Sequence, residues 1–138
     1  MATRPPTEAP ASRRRAAEAR GRAAETMAEW RLRLAGWRIL ARRWRSPVGE
    51  IDIVAYRRGI VAFVEVKARP VRADAMLAVT PRQQRRIVRA ASLYLAGARP
   101  RDAGQPRFDI VIVRPWRWPE HVRAAFEAPA DLLRRAGW

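Results

Sequence analysis

Residues 49–69 read GEIDIVAYRRGIVAFVEVKAR. Two apolar runs flank a tight turn, and charge interrupts them in only a few places. The spacing predicts one strand over Glu50 to Arg57, a second over Ile60 to Ala68, and Arg58-Gly59 as a two-residue hairpin loop. Asp52 then stands opposite Glu65, and Glu50 opposite Lys67. Successive side chains alternate between faces, so Glu50, Asp52, Val54, Tyr56, Val61, Phe63, Glu65 and Lys67 are expected on one face. Ile51, Ile53, Ala55, Ala62, Val64 and Val66 make up a wholly apolar second face. A slip of one residue would set carboxylates against Val64 or Val66, so the pattern itself selects the register.

Two carboxylates directly across a hairpin lie roughly 5 Å apart and repel. Something positive must lie between them: a divalent cation, a nearby Lys or Arg, or a shared proton that raises one pKa. The strands are otherwise apolar, which makes uncompensated charge costly. Oxygen ligands, with no Cys and a single His in the chain, point to Mg²⁺ or Mn²⁺ rather than zinc. Among 29 basic residues Lys67 is the only lysine. A lysine kept two positions after Glu65, where arginine is used everywhere else, marks a place that needs a compact ammonium and not a planar guanidinium.

A length of 138 residues is that of one domain with a loose end. The expected organisation is a disordered tail over 1–12, a domain over 13–128 and an extension over 129–138. The absence of Cys suits the cytosol, and no apolar run approaches membrane-spanning length. A net charge of +16 makes a polyanion the expected partner, most simply nucleic acid, bound with a steep dependence on salt; charge does not separate DNA from RNA, and DNA is taken as the expected form.

Ala17, Gly21, Ala24, Ala28, Leu32 and Ala35 recur at helical spacing, with Gly36 as the helix stop and Glu25 on the flank of that face. Trp37 to Trp44 alternates as an edge strand. Val71 to Val79 is expected as a loop. Thr80-Pro81-Arg82-Gln83 starts a helix that runs to Ala96 and stops at Gly97. Arg82, Arg85, Arg86 and Arg89 give it a basic face suited to phosphates, and Gln84 is expected on the side toward the site. Arg107 to Arg114 reads as a strand with Phe108, Ile110 and Ile112 on one face and Asp109, Val111 and Val113 on the other. Trp116 and Trp118 lie in a Pro-bounded loop and are expected to pack on the core, with base stacking as the alternative. The segment from Glu120 to Phe126 is ambiguous, His121 is read as structural, and residues 129–138 as a small terminal helix.

The order helix, three strands, helix, strand, with Asp52 early in the second strand and Glu65-Val66-Lys67 ending the third, resembles the PD-(D/E)xK nuclease superfamily. Gly49-Glu50-Ile51-Asp52-Ile53-Val54-Ala55, Phe63-Val64-Glu65-Val66-Lys67 and Arg107-Phe108-Asp109 resemble, more narrowly, the YraN-like family of small bacterial endonuclease-like proteins. The resemblance runs from about Gly21 to Phe126. Ile51 replaces the superfamily's Pro, and Gln83 replaces a lysine usual in the family.

The resemblance implies an α/β restriction-endonuclease-like core with a mixed central sheet flanked by helices. It implies phosphodiester hydrolysis with Mg²⁺ or Mn²⁺ held by Asp52, Glu65 and the Val66 carbonyl. Glu25 would complete or orient the shell, and Lys67 would position the attacking water. Arg82, Arg85, Arg86, Arg89 and Gln84 would contact nucleic acid. Two other readings stay open: a nucleic-acid-binding module with a weak or unused site, and an interaction protein in which Glu50 and Lys67 form an ordinary cross-strand ion pair.

Overall fold

The computed structural model describes residues 10–132. Residues 1–9 of the tail expected to be disordered, and residues 133–138 of the extension expected as a terminal helix, lie outside the described residues; Pro10 to Ser12, expected in the tail, open the first helix instead. The order is α1 (Pro10–Leu34), β1 (Arg38–Ser46), β2 (Gly49–Arg57), β3 (Ile60–Ala68), α2 (Arg72–Ala78), α3 (Pro81–Ala96), a short 3-10 turn, β4 (Gln105–Val113) and β5 (Glu120–Phe126). The strands form one sheet in sequential order. β3 and β4 run parallel, joined through α2 and α3, and the other neighbours are antiparallel. This is the mixed, helix-flanked sheet of a restriction-endonuclease-like core.

The central hairpin adopts the predicted register, Arg57 opposite Ile60 through Ile53 opposite Val64. Arg58 and Gly59 both take positive φ, 49° and 79°, as the turn favoured by the strand twist requires. The pairing stops at Ile53, one residue short of Asp52. Beyond it the strands part, and the Asp52 carboxylate takes the Val66 N–H in place of a backbone carbonyl (2.8 Å). Alternation fails at the same point. Ile51, expected beside Ile53, is buried instead with Val54, Phe63 and the α3 residues Ile87 and Ala91.

Each sheet face has its own helical cover. Ala24, Ala28 and Leu32 of α1 pack on Ile53, Ala55, Ala62, Val64, Val111 and Val113. The expected small-residue face of α1 continues past the sheet, where Ala17 is exposed. On the other side Ala75 of α2 and Ile87, Val88 and Ala91 of α3 cover Val54, Val61, Phe63, Phe108, Ile110 and Ile112. The Thr80 hydroxyl accepts the Gln83 N–H (3.3 Å), so α3 begins at the predicted cap.

Two elements depart from expectation. Val71 to Val79 is not a loop: α2 occupies Arg72–Ala78. Seven residues make fewer than two turns, too few for apolar periodicity to show, and burial of Ala75 holds the helix in place. Glu120 to Phe126 is a strand, β5. Ala124 takes φ 48° and the register shifts between Phe108 and Ile110, which erases the alternation that would mark it.

Asp109 ties β5 to β4. It is fully buried and accepts two hydrogen bonds from Arg107 (2.9 and 2.8 Å) and one from the Ala124 N–H (3.0 Å). His121 Nε2 lies 2.7 Å from its second oxygen. Burial works to raise the Asp109 carboxyl, but the His121, Arg107 and Ala124 hydrogen bonds outweigh it and hold it below the usual carboxylate range. His121 packs edge-on against Trp37, centroids 5.8 Å apart, which gives the single histidine a structural place.

Candidate functional site

The site lies where β2 and β3 part. β2 supplies Asp52, β3 supplies Glu65 and Lys67, α1 supplies Glu25 and α3 supplies Gln83. Each carboxylate is held by a neutral donor. Val66 N–H donates to Asp52 Oδ2 (2.8 Å) and Gln83 Nε2 donates to Glu65 Oε1 (2.8 Å). Lys67 Nζ stands 3.5 Å from the same Glu65 oxygen, its side chain 16% exposed.

The two carboxyls are in trouble together. Burial, then the charge of Glu25, push Asp52 up to about 6, with the Val66 N–H and Lys67 pulling the other way. Burial, then the charge of Asp52, push Glu65 up to about 8, against the pull of Lys67. Of the three ways to relieve opposed carboxylates, a nearby cation is present in Lys67, and both carboxyls stay raised despite it.

Glu25 stands on the site's side of α1, close enough for its charge to act on Asp52. Its carboxylate is engaged by Arg43 Nε at 2.6 Å. Arg43 was not anticipated from the sequence. It lies in β1 between Arg42 and Trp44, which pair with Ile53 and Ile51, so it stands beside Asp52. It takes φ 46°, a left-handed conformation uncommon outside glycine, and the charges of Glu25, Glu50 and Asp52 all act on it. No residue in WRILARRW signals such a conformation.

Gln84 does not face the site. Its amide donates to the Val79 carbonyl (3.0 Å) and closes the start of α3, while its neighbour Gln83 reaches Glu65. Helical spacing put Gln84 on the Ile87 and Ala91 side, but carbonyls at the C-terminal end of a helix lack intrahelical partners, and Gln84 donates to that of Val79, the cap residue that ends α2. The position usually filled by lysine in the family was the available signal for Gln83. Glu50 does not pair with Lys67 either; its ion pair is with Arg45 at 3.8 Å, because the hairpin has opened by that point. Arg82, Arg85, Arg86 and Arg89 are exposed as expected.

Among the described residues no group of three or more acidic or histidine side chains is gathered to hold a metal. The donor set at Asp52 and Glu65 nonetheless suits Mg²⁺, which keeps most of its waters and is commonly bound by one or two carboxylates. Two oxygen ligands short of positive charge meet that requirement. Glu25, engaged by Arg43, fits an orienting part.

The raised carboxyls have a consequence for stability. The folded site retains protons that the unfolded chain releases above about pH 4. Stability is therefore undiminished by this pair below that pH, and falls as pH rises through about 6 and about 8. At about 1.4 kcal/mol per unit, the loss by pH 9 is on the order of a few kcal/mol. Melting temperature measured from pH 5 to 9 should fall, saturating Mg²⁺ should reverse the fall, and Glu65→Gln should flatten it. A melting temperature that rises across this range relative to Glu65→Gln, and ignores Mg²⁺, would contradict this account.

A mixed five-stranded sheet in this order, flanked by helices, places the chain in the restriction-endonuclease-like fold class. The chain belongs to the Uncharacterised protein family UPF0102, the YraN-like family, whose profile matches residues 24–113. It is 54% identical to a UPF0102 protein of Rhodopseudomonas palustris strain HaA2 over 84 residues, 61% of this chain and 66% of the relative. It is likewise 54% identical to one of Bradyrhizobium diazoefficiens over 84 residues, 61% of this chain and 63% of the relative. A UPF0102 protein of Maricaulis maris is 48% identical over 90 residues, 65% of this chain and 70% of the relative. The match spans just under two thirds of the length of the first two. Among the described residues no helix is long and apolar enough to cross a membrane.

Proposed function

We propose that this protein binds nucleic acid, DNA first of all, and hydrolyses a phosphodiester bond with Mg²⁺ or Mn²⁺ at Asp52, Glu65 and Lys67. The observation that carries the reading is the buried Glu65 carboxyl, raised by burial and by the charge of the half-buried Asp52 beside it, with the chain's one lysine 3.5 Å from Glu65. Such a cluster costs stability and adds nothing to packing, and perturbed groups of this kind gather at functional sites.

A bound divalent cation would polarise the phosphate and acidify a water. Asp52, Glu65 and the Val66 carbonyl would hold it. Val66 N–H and Gln83 fix the two carboxylates before any ligand arrives, which removes a reorganisation cost. The Lys67 ammonium positions the attacking water and stabilises charge as it develops on the phosphate. Arg82, Arg85, Arg86 and Arg89 grip backbone phosphates, which sets affinity and not sequence preference.

A second reading, a binding module with a weak or unused nuclease site, draws on two observations. Arg43 engages Glu25, and Gln83 stands where the family usually has a lysine. One screen separates the two: cleavage of single-stranded, duplex and branched DNA and RNA with Mg²⁺ or Mn²⁺. The expected result is metal-dependent cutting of at least one substrate, abolished in Asp52→Asn. Binding without cutting moves the protein to the second reading, and neither binding nor cutting ends both.

A further inference from the structure

We infer that the cleft between α1 and the C-terminal ends of β3 and β4 receives an unstacked nucleobase beside the catalytic site, with Trp116 as its stacking platform. The inference rests on the nucleic-acid reading above and names the form of substrate: a strand with an unpaired base next to the bond cut, and not a continuous duplex.

Trp116 was expected to pack on the core. It is fully exposed, at 103%, and Trp118 is 63% exposed. The exposure is not that of a loose loop. Arg31 Nε donates to the Pro119 carbonyl (3.1 Å), Arg117 N–H to the Arg114 carbonyl (3.4 Å), and Glu120 receives Arg72 (2.6 Å) and Arg114 (3.5 Å). Within this tethered turn Trp116 takes φ 60°. A left-handed conformation costs a non-glycine residue energy, and such outliers concentrate at ligand clamps. Here it holds a large indole in solvent, against the hydrophobic effect.

Trp116 borders a cleft of about 940 Å³, within the range of small-ligand sites. Gly21 and Ala24 form part of one wall, and their small size leaves the room. Val66, Lys67 and Glu25 lie along its lining, so the cleft adjoins the catalytic groups. Arg20, Arg69 and Arg114 border it too. An apolar slot with a free aromatic face and cations around it matches a nucleotide unit: a flat base to stack and a phosphate on either side. A purely apolar partner would leave the positive charge along this edge unmatched, since among the described residues only Arg114 of the three arginines faces a carboxylate, that of Glu120 at 3.5 Å.

The test uses the full chain with Ca²⁺ in place of Mg²⁺, so that DNA is bound without being cut. The probes are one duplex carrying a single unpaired 2-aminopurine and the same sequence fully paired. Wild type should favour the bulged duplex about tenfold and quench its fluorescence on stacking. Trp116→Ala should lose the preference and the quenching yet keep its affinity for the paired duplex, and Trp116→Phe should retain most of both. Preference and quenching retained by Trp116→Ala overturn the base site and leave the nucleic-acid reading standing. A wild type that binds neither probe overturns that reading and the base site with it. Dimerisation lost in Trp116→Ala would assign the face to a second copy of the chain and equally overturn the proposal.

Discussion

Lys67→Arg is expected to fold and bind nucleic acid like the parent and to lose cleavage by on the order of a hundredfold. The change is neutral in charge, and this chain uses arginine at every other basic position. If Lys67 served only as a counter-charge to Glu65, an arginine would serve nearly as well, at under about 1 kcal/mol. The structure makes that outcome hard to reach. Lys67 is largely enclosed and its ammonium stands 3.5 Å from a Glu65 oxygen already bonded to Gln83. A guanidinium is larger, and its donors are fixed in a planar fork. It would crowd the oxygen or displace the water that Lys67 is proposed to position. The measurement is cleavage rate and affinity on a substrate the parent cuts, with melting temperature as the control for folding. Equal cleavage by the two proteins would remove Lys67 from the chemistry.

The largest effect of a single substitution on stability is expected at Asp109, away from the site. Asp109→Asn should cost about 3 kcal/mol, toward the lower end of what breaking a buried ion pair costs, because Arg107 retains some access to water. An amide supplies one acceptor where the carboxylate serves Arg107 twice, His121 and the Ala124 N–H. Asp102→Asn is the control. Asp102 pairs with Arg38 at 3.0 Å, but that arginine is half exposed, so the loss should stay within about 1 kcal/mol. Denaturant midpoints at pH 7 give both values, and equal losses would refute the account of Asp109 as the tie between β4 and β5. The sign with pH is opposite to that of Asp52 and Glu65. The Asp109 carboxyl is held below its usual range, so its contribution is present above about pH 4 and is lost as pH falls through the lowered value. The protein is thus pressed from two sides: Asp109 limits it in acid, and the carboxyl pair limits it as pH rises.

How much of this was legible in the sequence depends on how far apart the interacting residues lie. The turn at Arg58-Gly59, the register from Arg57 through Ile53, the Thr80 cap and the stop at Gly97 are local. Period-two alternation around a two-residue turn admits one register that buries the apolar face, and a helix cap is a matter of four neighbouring residues. Asp52, Glu65 and Lys67 were legible for the same reason, since one hairpin carries all three. The seven residues of α2 and the bulged β5 were not, because neither is long or regular enough to show a period.

The partners of the charged side chains were decided only by the tertiary structure. Parting of β2 and β3 gives Asp52 to the Val66 N–H and releases Glu50 to Arg45. Docking of α3 brings Gln83, and not Gln84, to Glu65. The crossing of α1 over the sheet meets Glu25 with Arg43, and the pairing of β5 with β4 delivers His121 to Asp109. Local pattern states which face a side chain takes. Which group it meets there depends on elements tens of residues away in the chain, and a carboxylate's pKa and chemistry follow from that meeting.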